Sequence, residues 1–152
     1  MKKLNAVIFL THNLRQMKLT INYSQKTVTV KQTFNQEFPF LKIEFFDMPH
    51  KEGDPTSVQN MLAEDICFEK INPYVKEGVL TIKSTDTVAA VEKSFQQFGL
   101  SVQVFRKQKE AWIETTKTDG LTLMQQNEMG KQACAPPEYV PPGDRYLEDG
   151  QY

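Results

Sequence analysis

The chain is poor in the residues that carry ready-made chemistry. It has two cysteines and two histidines in 152 residues, and no P-loop, dinucleotide-binding fingerprint, nucleophile elbow, H-E-x-x-H run or Cys/His zinc spacing. Cys67 and Cys134 lie far apart, so neither a C-x-x-C redox pair nor a disulfide framework is legible, and a reducing compartment fits. Long apolar runs are also missing. The longest near the start, Ala6-Val7-Ile8-Phe9-Leu10, is shorter than a signal-peptide core and far too short to span a bilayer. The expected location is therefore the cytoplasm, with no membrane partner. Nor is there a strong excess of one charge: the net charge is -1, which supplies no global field to gather nucleic acid or anionic lipid.

What is present is globular in composition, 39% hydrophobic and 24% charged, at a length usual for one domain with a substantial core. Sliding the sequence over itself exposes an internal repeat. Residues 19–36 lie without a gap on residues 80–97: Leu19-Thr20-Ile21 matches Leu80-Thr81-Ile82, Val30 matches Val91 and Phe34 matches Phe95. After a two-residue deletion Leu41, Ile43, Phe45 and Phe46 fall on Leu100, Val102, Val104 and Phe105.

Within each copy the apolar period changes in the same order. Leu19, Ile21 and Tyr23 alternate with polar residues as a half-buried strand does, and Leu80 and Ile82 repeat this. Val30, Phe34 and Phe38, then Val88, Val91, Phe95 and Phe98, recur at helical spacing, ending before the breakers Pro39 and Gly99. Ser24, and Thr85 with Asp86, are the expected helix caps. Residues 41–46 and 101–105 return to alternation, so each copy reads β-α-β. A polar hairpin, residues 106–110, leads to a fifth strand over 111–116, and Thr122 with Gln125 has capping-box spacing for a short helix that Gly130 should stop. Residues 57–64 could form another short helix, and residues 66–78 give no firm reading.

Two right-handed β-α-β units pack most simply as a ferredoxin-like α+β fold, one four-stranded antiparallel sheet with both helices on one face. A β-grasp-like sheet is the alternative if one helix fails. The expected organisation is an N-terminal extension over 1–16, one domain over 17–134, and a Pro/Tyr-rich tail over 135–152. That tail has four prolines and three tyrosines but almost no aliphatic residues to repay ordering. It includes Pro136-Pro137-Glu138-Tyr139, which has the form of a WW-domain ligand and is read as coincidence.

The second copy carries the run Phe98-Gly-Leu-Ser-Val-Gln-Val-Phe-Arg-Lys107, then Trp112-Ile-Glu-Thr-Thr116, Thr118-Asp119, Thr122-Leu123, Gln126-Asn127 and Gly130. This resembles a family of uncharacterised bacterial proteins that share about 30 residues of this kind. The resemblance implies a bacterial, cytoplasmic origin and brings no activity, cofactor or catalytic residue.

Candidate sites are correspondingly few. His50, Glu52 and Asp54 alternate in a polar loop and form the nearest thing to a metal set, with a solvated loop as the simpler reading. Cys67 lacks a basic neighbour that would make it a nucleophile. Phe46 and Phe105 have parity opposite to the core residues of their strands, and Arg106, Lys107 and Lys109 form a basic hairpin. With Trp112 these six residues define an expected interaction face. The leading expectation is a non-enzymatic adaptor that binds a protein partner or a second copy, using the sheet face or a free strand edge. A single-stranded RNA-binding protein stacking bases on Phe46 and Phe105 is the alternative. A small enzyme with an unrecognised site comes third, and no cofactor is expected.

Overall fold

The computed structural model describes residues 15–47 and 60–138. Strand β1 (Gln16–Ile21) leads to helix α1 (Thr27–Glu37) and strand β2 (Leu41–Phe46). A single helical turn, α2 (Phe68–Ile71), follows in the stretch that had no firm sequence reading. The second unit is β3 (Gly78–Lys83), α3 (Val88–Gln97) and β4 (Ser101–Gln108). It continues into β5 (Ala111–Glu114), a 3-10 turn (Thr116–Thr118) and helix α4 (Leu123–Cys134).

The fold is α+β with antiparallel strands and helices packed on them, consistent with a ferredoxin-like arrangement. In one respect the sheet departs from expectation. The strands divide into a two-stranded sheet, β1-β3, and a three-stranded sheet, β2-β4-β5, instead of one continuous sheet. Alternation tells which face of a strand is buried but not which strand lies beside it. Both helices are present, so the single-helix β-grasp alternative is not the arrangement found. The expected boundary also moves: β1 opens at Gln16, and Arg15 is fixed by exchanging hydrogen bonds with Ser84.

The register places aligned residues opposite one another. Leu19 pairs with Leu80 at the centre of β1-β3, and Glu44 pairs with Gln103 in β2-β4. Corresponding hydrogen bonds recur outside the strands. Thr27 N–H donates to Ile66 O as Val88 N–H does to Leu121 O, and Phe68 N–H donates to Gln25 O as Leu123 N–H does to Asp86 O. The outer edge of β2 bridges Met61 from Phe46, as Phe105 pairs with Glu114 on the outer edge of β4. The contacts of residues 25–27 with residues 66–68 thus have counterparts in those of residues 86–88 with residues 121–123.

This arrangement explains why the expected caps differ. Helix α1 is entered from Lys26, with no side-chain cap, and α3 from Thr87, whose hydroxyl accepts from Ala90 N–H. The first N–H of each helix is met by a distant segment, Thr27 N–H donating to Ile66 O and Val88 N–H to Leu121 O. Helix α4 does carry its capping box, with Thr122 Oγ1 accepting from Gln125 N–H and Gln125 Oε1 accepting from Thr122 N–H. It runs through Gly130 rather than stopping there. A Cβ at Gly130 would lie 2.8 Å from Phe40 Cβ, so the glycine permits close helix approach and does not end the helix.

The core draws on both units. Phe34, Phe45, Phe68 and Phe95 are all fully buried. Phe45 packs against Phe68 at 5.5 Å and edge-on against Phe95 at 5.9 Å between ring centroids, geometry in which aromatic pairs add to their burial. No helix among the described residues is long and apolar enough to cross a membrane.

Candidate functional site

The register sorts the side chains of the three-stranded sheet. Leu41, Ile43 and Phe45 face the core with Val102 and Val104. The opposite face carries Lys42, Glu44 and Phe46 on β2, Ser101, Gln103, Phe105 and Lys107 on β4, and Trp112 and Glu114 on β5. Lys42 stands directly across from Phe105, and Lys107 across from Trp112.

This brings Phe105, Lys107 and Trp112 into one cluster. Lys42 Nζ lies 5.4 Å from the Phe105 ring centroid and 5.1 Å from that of Trp112, and Lys107 Nζ lies 5.9 Å from the Trp112 ring. Both ammonium groups are within cation–π range. Lys42 also reaches Glu44 Oε1 at 3.5 Å, and Lys31 from α1 meets Glu44 Oε2 at 2.8 Å. The result is a ladder of alternating charge and ring from α1 to β5. Lys31, Lys42 and Glu44 were not picked out from sequence, because each follows the ordinary polar alternation of its element.

The remaining expected residues go elsewhere. Phe46 is buried at the other end of the β2-β4 ladder, under its bridge to Met61. It therefore shares no exposed surface with Phe105, which is itself only 8% exposed. Arg106 points to the core side, where Nη1 donates to Gln126 Oε1 at 2.6 Å and to Met129 Sδ at 3.7 Å, tying β4 to α4. Lys109 occupies the two-residue turn between β4 and β5 with φ 55°, and its carbonyl accepts from Cys134 Sγ. His50, Glu52, Asp54 and His12 lie outside the described residues, as does most of the tail. Among the described residues no group of His, Cys, Asp or Glu is placed to hold a metal ion. Cys67 is half-buried at the start of α2, with no charged partner among the described residues.

Beyond β5 the chain has no further strand among the described residues. Arg106 and Ile113 face each other in register, as do Gln108 and Ala111. Lys107 N–H bonds to Phe40 O on the β2 side, so the backbone groups of Arg106 and Gln108 turn toward β5. They are met there by Ile113 and Ala111, which leaves the N–H and C=O of Trp112 and Glu114 directed outward along an edge that no other strand pairs among the described residues.

Among the described residues, two open cavities border these elements. One of about 430 Å³ lies where β2 ends and β4 begins, between Phe46, Asp47, Ile71, Asn72, Gly99 and Ser101. The other, about 270 Å³, is bordered by Arg15, Ser84, Asn127 and Lys131.

Sequence reasoning also missed Glu92 on α3. It is 8% exposed, and burial raises its pKa from the usual 4.5 to about 8. A hydrogen bond from the Val104 backbone pulls the other way, and nearby Asp119 adds to the rise. Glu92 Oε2 has no hydrogen-bond partner among the described residues. It aligns with Lys31, but the residue aligned with Glu44 is Gln103, which offers no opposite charge. Neither the family models, nor the curated proteins, nor the solved structures contain a match to this chain.

Proposed function

We propose that this protein is a non-enzymatic interaction module that binds a protein partner through the outer edge of β5. The observation that carries this reading is the β5 edge, unpaired among the described residues: Trp112 and Glu114 direct backbone donors and acceptors outward at the rim of the three-stranded sheet. An edge of this kind is a ready template for a strand from another chain. The half-buried Trp112 ring, with Lys42 and Lys107 over it, lies on the face that an added strand would extend. It offers a rigid aromatic contact with positive charge at its border. Bacterial origin and a cytoplasmic site of action belong to the same proposal, as does descent of the two β-α-β units from one duplicated ancestor. The last is supported by the aligned residues that pair across both sheets.

RNA stacking on Phe46 and Phe105 draws little support from this geometry, since one ring is buried and the other lies beneath an ammonium group. The discriminating variant is Glu114→Pro. Its N–H points away from β4, so proline removes an outward donor while leaving the β4-β5 bonds in place. Capture of a nuclease-resistant protein by the wild type, lost in Glu114→Pro with the fold intact, supports the edge reading. Unchanged capture refutes it.

A further inference from the structure

The second face of the three-stranded sheet is buried, yet no helix or strand among the described residues packs on it. Phe46 and Gln103 are each 1% exposed, Ser101 5% and Phe105 8%. Helices α1, α3 and α4 meet the sheet on its other side: Phe34, Phe95 and Leu123 join Phe45 and Val104 in the core cluster, which takes in neither Phe46 nor Phe105. Lys31 of α1 reaches Glu44 past the rim of β2, and Met61 bridges the backbone of Phe46 in the plane of the sheet. Both contacts lie along β2, whereas Gln103 and Phe105 stand on β4, the central strand. Side chains at the middle of a sheet stand perpendicular to it and lose solvent only when chain lies across them. The Ser101 hydroxyl on the same face has no hydrogen-bond partner among the described residues.

We propose that the proline- and tyrosine-rich segment 139–152 of the same chain lies across this face. Position, reach and charge all argue for it. The Cys134 thiol donates to Lys109 O in the β4-β5 turn, so α4 releases the chain beside Lys107 and Trp112, at one end of the face. From Glu138 onward, 14 residues in polyproline form span about 43 Å, against about 26 Å for the 8 residues of β4. The segment carries Asp144, Glu148 and Asp149 against Arg145 alone, and Lys107 pairs with no carboxylate among the described residues. Tyr139, Pro141, Pro142 and Tyr146 offer stiff apolar surface to the Trp112 and Phe105 rings, as proline-rich segments do on aromatic surfaces. Such a segment cannot repay its ordering alone, but a prepared face and a preformed extended backbone lower the cost. Residues 1–14 fit less well: they bring Lys2 and Lys3 with no acidic residue, and they join at Arg15, which is bonded to Glu37 O at the end of α1. The 48–59 connection is held at the far end, beside Phe46, where Asp47 N–H donates to Asn60 O. The proposal concerns the face and not the β5 edge, and so goes beyond the partner reading.

The test is nuclear Overhauser contact in the isotope-labelled full chain. Contacts from the Trp112 indole and the Phe105 ring to Tyr139, Pro141, Pro142 or Tyr146 are expected, and Lys107→Glu should weaken them several-fold. A full chain carrying Tyr139→Ser and Tyr146→Ser, which leaves the core untouched, should show Trp112 emission moved several nanometres to longer wavelength. Contacts to residues 1–14 or 48–59 in place of these, or none to residues 139–152, would overturn the proposal. Contacts undiminished in Lys107→Glu, or an emission spectrum unchanged in the double-serine chain, would overturn it as well. So would contacts that pass only between differently labelled copies in a mixed sample, which would make the occupant the tail of a second molecule.

Discussion

Replacing Glu92 by glutamine should flatten the dependence of stability on pH. The carboxyl is 8% exposed, has one oxygen without a partner, and carries a pKa of about 8 against an ordinary 4.5. Because the folded-state value is the higher, the folded protein holds this proton more tightly than the unfolded chain. The stabilisation is complete below pH 4.5 and is lost as pH rises toward 8. Each unit of displacement is worth about 1.4 kcal/mol, so ionising Glu92 costs on the order of 4–5 kcal/mol across that window. That is a large share of the roughly 5–15 kcal/mol that holds a domain together. Glutamine keeps the shape and an acceptor for the Val104 backbone but never ionises. Urea unfolding at intervals from pH 5 to pH 9 should show wild-type stability falling by up to about 1.4 kcal/mol per pH unit through this range relative to Glu92→Gln. Parallel profiles for the two proteins would refute the assignment of a buried, proton-holding carboxyl.

Other substitutions probe the packing. Gly130→Ala places a methyl 2.8 Å from Phe40 Cβ and 3.1 Å from Phe40 O. It should destabilise by about 1–3 kcal/mol in urea unfolding despite the better helix propensity of alanine. Thr122→Ala removes the hydroxyl of the capping box and should cost about 1 kcal/mol, read as a lower thermal midpoint. Phe45→Ala deletes the ring that joins Phe68 to Phe95 and should cost about 3–5 kcal/mol by the same measurement. Trp112 is the sole tryptophan, so its emission reports the cation–π cluster directly. Lys42→Met should shift that emission while changing stability by only about 1 kcal/mol, and an unmoved spectrum would contradict the contact.

The elements were largely legible because period is a local property. The spacing of Val30, Phe34 and Phe38 marks α1, and the alternation of Leu41, Ile43 and Phe45 marks β2, without reference to the rest of the chain. Partners are not local. The division into two sheets depends on β2 choosing β4, and the bare start of α1 depends on a carbonyl at Ile66, 39 residues beyond Thr27. The parity argument put Phe46 and Phe105 on the second face, where they are. It could not foresee that Met61 bridges beside Phe46 and that Lys42 takes the Phe105 ring. Gly130 shows the same limit from the other side. A glycine reads as a helix stop in one dimension and as a contact point in three.

The most direct test of the interaction account is affinity capture of the tagged wild-type chain and of Glu114→Pro, both at native level from their own cells and after nuclease treatment. The account predicts a stoichiometric protein partner with the wild type that is absent from the folded proline variant. Recovery of the wild type alone, or with RNA only, would contradict it.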